Sequence, residues 1–225
     1  MNNNILVADN LNLRLSLSKK KTYLFIKRCL DIIIAIIGIF FLIPLVFIVK
    51  ISYILTGDFK TIFFIQERIG INGKKFKMFK FRTMVPNAQN KLDKLLNEDI
   101  KAREEYDKYK KITDDPRVTK AGKFFRKTSI DEFPQFINVF IGNMSVVGPR
   151  PYLDREIKDM GSYYKNVIMC KPGITGYWQA NGRNDLDFHD RLLCDEYYSK
   201  KMGIKFDMRI FFATFSKVLK RNGAK

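Results

Sequence analysis

The sharpest feature of the chain is an apolar block, Ile32 to Val49, without a single charged residue. Its length is close to the roughly 20 residues that a bilayer-spanning helix needs. The block is apolar on every side, unlike a soluble core helix with one apolar stripe. It begins too late for a signal peptide, and no small-residue cleavage site follows it. Pro44 lies inside the block, removes a backbone hydrogen bond and predicts a kink. Before it, Met1 to Lys21 is polar and Asn-rich and ends in Lys19-Lys20-Lys21, the composition of a tail or surface arm.

After the block the period changes. Phe63 to Ile69 and Lys75 to Arg82 are Phe- and Ile-rich runs that meet at Asn72-Gly73, which predicts a β-hairpin. Ala88 to Lys111 carries Leu92, Leu95 and Leu96 at helical spacing and predicts one exposed amphipathic helix. Asp114-Asp115-Pro116-Arg117 reads as a turn. The stretch from Phe206 to Lys220 sets Ile210, Phe211, Phe215, Val218 and Leu219 among basic residues, as in a helix at a membrane interface or one packed on a core.

Charge sharpens this picture. Lys and Arg outnumber Asp and Glu by 41 to 23, a formal charge of +18, which calls for an acidic partner such as nucleic acid, anionic lipid or a phosphorylated substrate. Both flanks of the apolar block are basic: Lys19 to Lys21, Lys27 and Arg28 precede it, and Lys50, Lys60, Lys74, Lys75, Lys77 and Lys80 follow it. Positive residues favour the cytoplasmic side, so the pattern favours a hairpin entering and leaving by one face over a simple span. Cys29, Cys170 and Cys194 form no CxxC pair, which speaks against a zinc knuckle or a disulfide framework. With His189 as the only histidine, serine-type triads and His-rich metal sites are excluded, and chemistry falls to carboxylates, Lys and Arg.

The densest run of reactive types is Arg126-Lys127-Thr128-Ser129-Ile130-Asp131-Glu132-Phe133-Pro134-Gln135. Ser129 with Glu132 matches a capping box, and capping is the common role of such a pair. Asp131 as N-cap would place Pro134 in the tolerant first turn and put Asp131 where a helix N-terminus favours phosphate. Paired carboxylates beside a phosphate also suit a nucleophile with a Mg2+ ligand. Lys80 and Arg82 share a strand face and could meet one phosphate-bearing ligand or simply be solvated. Ser145-Val146-Val147-Gly148-Pro149-Arg150-Pro151 holds Arg150 extended between two prolines. Lys171-Pro172-Gly173-Ile174-Thr175-Gly176, and Asn181-Gly182-Arg183 after it, would line a pocket or turn the chain.

Together these motifs resemble the bacterial sugar transferases, the monotopic phosphoglycosyl transferases. Lys80-Phe81-Arg82-Thr83-Met84, Asp115-Pro116-Arg117-Val118-Thr119, Arg126 to Gln135, Gly148-Pro149-Arg150-Pro151 and Lys171 to Gly176 occur in the family's order, over a region from about Lys27 to the C-terminus. The resemblance implies an α+β, mainly helical fold: a re-entrant membrane helix-break-helix kinked at Pro44, plus a membrane-seated catalytic domain with a small β-hairpin. The organisation expected is a polar basic tail over 1–22, a re-entrant segment over 23–55, and a cytoplasmic catalytic domain over 56–225 with an interfacial C-terminal helix. Asp131 would be the nucleophile and Glu132 the Mg2+ ligand. Lys80, Arg82, Arg126 and Arg150 would bind the substrate phosphates and nucleotide. The implied partners are a UDP-sugar donor, a polyprenyl phosphate acceptor and the lipid bilayer at the cytoplasmic face of a bacterial inner membrane, in a surface-glycan pathway. The sequence departs from the family at Ile43, where a Ser often precedes the membrane proline, and its short tail is that of a minimal form. A non-catalytic, membrane-tethered scaffold is the alternative. A nucleic-acid partner is not expected, because no RNA-binding signature accompanies the charge.

Overall fold

The computed structural model describes residues 2–182 and 186–219, with side chains from Lys20 to Lys217. Arg183 of the expected pocket turn and Lys220 of the expected terminal helix lie outside the described residues. The elements are helices α1 (Asn2–Leu55), α2 (Ala88–Glu98), α3 (Ile100–Tyr109), α4 (Lys120–Thr128), α5 (Gln135–Ile141), α6 (Ile157–Met160), α7 (Tyr163–Val167), α8 (Tyr177–Asn181), α9 (Phe188–Lys201) and α10 (Ile204–Leu219), with strands β1 (Phe63–Ile69), β2 (Lys75–Phe81), β3 (Ser145–Val147) and β4 (Gly173–Thr175). The protein is mainly helical, with β1 and β2 antiparallel and β3 and β4 parallel.

Helix α1 is long and apolar enough, from Lys20 to Leu55, to cross a membrane. Asp31, Ala35, Leu42, Val49 and Tyr53 recur at helical spacing along one buried stripe. The rest of its girth exposes large apolar side chains, among them Ile33, Ile37, Phe40, Phe41, Phe47, Ile51 and Leu55. One expectation is corrected here, and another gains detail. The helix runs unbroken through Pro44, because one lost hydrogen bond does not end a helix whose stripe is packed on both sides of the proline. It also begins at Asn2, inside the stretch expected as an arm, where no Gly or Pro interrupts the chain before Gly38.

The hairpin forms as the sequence predicts, pairing Phe63 with Phe81 at one end and Ile69 with Lys75 at the other. Asn72 and Gly73 take φ of 56° and 75°, the left-handed turn that this pair tolerates best. The single helix expected over Ala88 to Lys111 is instead α2 and α3, divided at Asp99. The Asp99 carboxylate accepts from the Ala102 amide at 3.0 Å, so a residue unsuited to a helix interior starts a new helix instead.

Buried side chains gather in three clusters. One joins Ala35 of α1 to Phe76 and Met78 of β2, Val139 of α5, Val146 and Val147 of β3, Tyr198 of α9 and Ile210 of α10. A second joins Leu42, Val49 and Tyr53 of α1 to Ile62, Phe81 and Phe125. Tyr152, Met160, Val167, Phe188 and Leu192 form the third. The apolar helix therefore supplies part of two cores.

Candidate active site

The site forms where α4 ends and α5 begins, against β2. Thr119 caps α4, its side chain accepting from the Gly122 amide at 2.9 Å. At Gly122 a Cβ would lie 2.0 Å from the Thr83 carbonyl oxygen, so only glycine lets α4 approach the end of β2 this closely. Ser129 closes α4 with φ 58°, and the chain turns through a single 3-10 turn, Ile130–Glu132, before Pro134 leads into α5. Asp131 thus sits inside that turn and not at a helix N-cap, and Ser129 makes no side-chain cap, because left-handed Ser129 itself ends the preceding helix. Buried Asn138 fixes the height of the turn: its amide accepts from the Phe79 N–H at 2.9 Å and donates to the Lys77 carbonyl at 2.7 Å, as a neighbouring strand would.

This brings Asp131, Glu132, Lys80 and Arg126 together. Lys80 Nζ donates to Glu132 Oε1 at 2.9 Å, and Arg126 Nε donates to Thr83 Oγ1 at 3.0 Å. Burial raises the pKa of Asp131 to about 6; the charges of Lys80 and Arg126 pull it down, and Glu132 pushes it further up. Burial also lowers the pKa of Arg126, with the carboxylates of Asp131 and Asp115 opposing that shift. The result is an ionisable oxygen nucleophile, nearly enclosed, with cations ready to receive a charged ligand. Among the described residues no group of three His, Cys, Asp or Glu converges as a protein-only metal site. The adjacent carboxylates of Asp131 and Glu132 still fit Mg2+, which commonly takes one or two protein carboxylates and fills its shell with water and substrate phosphates.

Arg82 does not join them. Its guanidinium is held by both Asp58 oxygens at 3.0 Å, by the Thr61 carbonyl at 2.7 Å and by the Met84 carbonyl at 3.2 Å, and its own carbonyl accepts from Tyr53 Oη. Arg150 is placed by the β3–β4 pairing, which unites two motifs distant in sequence: the Gly173 amide donates to the Pro149 carbonyl at 2.8 Å and the Gly148 amide to the Thr175 carbonyl at 2.9 Å. The backbone N–H of Arg150 donates to Asp195 at 3.0 Å. Sequence reasoning missed Thr83, Asn138 and Asp195 as supports. Strand alternation, which puts Arg68 on the same hairpin face as Lys80, was the available signal for another cation.

A family model described as bacterial sugar transferase matches residues 22–221. The undecaprenyl-phosphate galactose phosphotransferase of Salmonella typhimurium is 41% identical over 205 residues, which is 91% of this chain and 43% of that protein. The exopolysaccharide production protein ExoY of Sinorhizobium fredii is 38% identical over 198 residues, 88% of this chain and 87% of that protein. The UDP-glucose:undecaprenyl-phosphate glucose-1-phosphate transferase of Escherichia coli is 34% identical over 200 residues, 85% of this chain and 40% of that protein. The chain spans about two fifths of the length of the first of these relatives. Its carboxylate turn, its strand lysine and its arginine between prolines stand in a chain that belongs, over nearly its whole length, to the bacterial sugar transferase family.

Proposed function

We propose that this protein transfers a sugar 1-phosphate from a UDP-sugar to undecaprenyl phosphate, releasing UMP, at the cytoplasmic face of the plasma membrane, as a membrane step of exopolysaccharide or capsule assembly. The observation that carries the reading is Asp131, buried yet flanked by Lys80 and Arg126, with a pKa of about 6 that leaves it ionised at neutral pH. The names of the relatives support the carrier and the phosphosugar, since those from Salmonella and Escherichia coli each pair undecaprenyl phosphate with transfer of a sugar phosphate.

An Asp131 oxygen attacks the β-phosphorus of the donor, the bond to the bridging oxygen breaks, and UMP leaves with that electron pair. The phosphosugar is then held on Asp131 as an acyl phosphate. An oxygen of the lipid phosphate attacks the same phosphorus and Asp131 is released as carboxylate. That acceptor oxygen is already anionic, so no strong general base is needed, in keeping with a chain whose one histidine lies in α9. Lys80 and Arg126 neutralise the diphosphate, and Arg150 contacts it from the β3 side. Glu132 would hold Mg2+, which when bound would add charge neutralisation at the diphosphate. Arg82, with its donors spent on Asp58 and carbonyls, is given a structural part.

The contacts of α1 support a helix packed along the catalytic domain, and its unbroken course supplies no turn for a hairpin that enters and leaves by one face. Before the apolar block Arg28 donates to the Val139 and Phe140 carbonyls, and after it Tyr53 packs on Phe125. The test is UMP release by detergent-purified protein given Mg2+, a panel of UDP-sugars and polyprenyl phosphate, repeated with Asp131→Asn. UMP from the wild type alone is the expected result. UDP instead of UMP would mean ordinary glycosyl transfer, and no nucleotide product with any donor would favour the scaffold.

A further inference from the structure

One face of the hairpin beside the carboxylate turn carries an aromatic residue that the transfer reaction does not use. Cross-strand partners share a face, and the register sets Phe64 opposite Lys80, Gln66 opposite Met78 and Arg68 opposite Phe76. From this face Lys80 reaches Glu132 at 2.9 Å. At the other end of the row Arg68 donates to the Pro151 carbonyl at 2.9 Å, next to Arg150 in the chain. Burial and then the charge of Arg150 lower the pKa of Arg68 to about 9, while Glu156 and Glu132 oppose that shift, so the row lies within electrostatic reach of the carboxylate turn. Phe64, Gln66 and Arg68 thus form a floor that starts beside Lys80.

Packing does not explain Phe64. Its side chain is 43% exposed, and among the described residues no other ring packs against it, whereas Phe63, pointing to the opposite face, stacks on Phe81 at 5.6 Å. A lipid surface does not explain it either. Its Cβ stands about 5 Å from that of Lys80, and the next residue on the face is Gln66, and hydrocarbon would penalise both polar groups. An exposed ring beside a phosphate-binding cation suits a planar group that is covalently tied to the phosphates. Gln66 lies one strand repeat farther along, about 7 Å away. Its Oε1 accepts from Arg68 Nη2 at 2.6 Å, which turns the NH2 end of the amide outward as a donor. Stacking on an aromatic side chain needs only the flat face of a base, and the carbonyls of uracil are acceptors for such a donor.

We propose that Phe64 is the stacking platform for the uracil of the UDP-sugar, with Gln66 donating to a uracil carbonyl. The proposal rests on the transfer reaction above and adds the groups that hold the base. Calorimetric titration of the full chain in detergent compares UMP with ribose 5-phosphate, which has the sugar phosphate without the base. The wild type should bind UMP about ten-fold more tightly, within the range that stacking on one aromatic supplies. Phe64→Leu keeps apolar bulk without the flat face and should remove most of that advantage, leaving the affinity for ribose 5-phosphate unchanged; Phe64→Tyr should restore it. In the transfer assay Phe64→Leu should raise KM for the donor more than it lowers kcat. Gln66→Glu keeps an acceptor for Arg68 and loses the donor, so the ratio of the two affinities should fall, the added charge being felt by both phosphates. That ratio decides the matter should Phe64→Leu fail to fold by its melting curve. A wild type that binds both ligands alike, or a folded Phe64→Leu variant with the UMP advantage intact, would overturn the platform, as would an unchanged ratio in Gln66→Glu. Absence of UMP release with every donor would end the transfer reading and leave base-dependent binding standing; UMP release by a protein blind to the base would end the platform alone.

Discussion

Two clusters of buried charge in this protein have opposite character. At the foot of α1, Lys27 donates to Asp207 at 2.7 Å and to the Val147 carbonyl at 2.8 Å, and Asp207 also accepts from Tyr23 and Tyr198 at 2.9 and 2.8 Å. Asp31 accepts from Ser145 Oγ at 3.0 Å and from the Val146 amide at 2.8 Å. Around Asp131, by contrast, two carboxylates are neighbours in one turn, and the charge of Glu132 adds to the effect of burial against the pull of two cations. Charges whose partners are complete hold a structure together. Charges left short of partners keep interaction energy for a ligand, and the fold carries that cost in the absence of ligand.

The largest effect should come from removing the strained charge. Asp131→Asn should lower transfer by at least ~10³-fold while raising stability. The sign follows from its raised pKa: ionisation of Asp131 opposes folding above about pH 6. The gain for the amide, up to about 3 kcal/mol, should be full at pH 8 and vanish below about pH 4 in unfolding curves. Breaking the complete cluster should do the reverse. Asp31→Ala leaves a buried hydroxyl and a buried amide without acceptors and should cost about 2–3 kcal/mol, or roughly 4–12 °C of melting temperature, with the folded fraction still transferring.

Smaller effects sharpen the contrast. The rate should fall on the acid side with a midpoint near pH 6, the point at which Asp131 takes up its proton. Lys80→Met, by removing a cation, should move that midpoint up by about one unit in a pH–rate profile, and Glu132→Gln should move it down where residual activity permits. Smallest of all is Arg82→Lys, which loses the double contact to Asp58 at a cost of about 1 kcal/mol in thermal unfolding, with KM for the donor unchanged. A raised KM would return Arg82 to the substrate site.

Local chemistry carried much of this in the sequence. The apolar block, the Asn72-Gly73 turn and the Asp131-Glu132 pair are visible because each depends on neighbours within a few residues. The division at Asp99 was also local, but the leucine spacing just before it masked it. What could not be read is pairing over distance. Arg82 looks like a partner of Lys80 until Asp58, 24 residues earlier, is seen to occupy it. The union of the Arg150 and Lys171 motifs depends on a parallel contact between two strands of three residues each, too short to announce themselves. Asp31, at the edge of the apolar block, gave no hint of β3 as its partner.

The buried stripe of α1 also bears on how the protein can be handled. Ala35, Leu42, Val49 and Tyr53 belong to the same cores as β2, α4 and α5. Trimming the helix to obtain a water-soluble fragment would hollow out two cores and bare the edge that seats the carboxylate turn. Crystallisation or inhibitor screening therefore calls for the intact chain in detergent or nanodiscs, and solubility is better sought by replacing outward residues such as Ile33, Phe40 and Phe47, which touch no core.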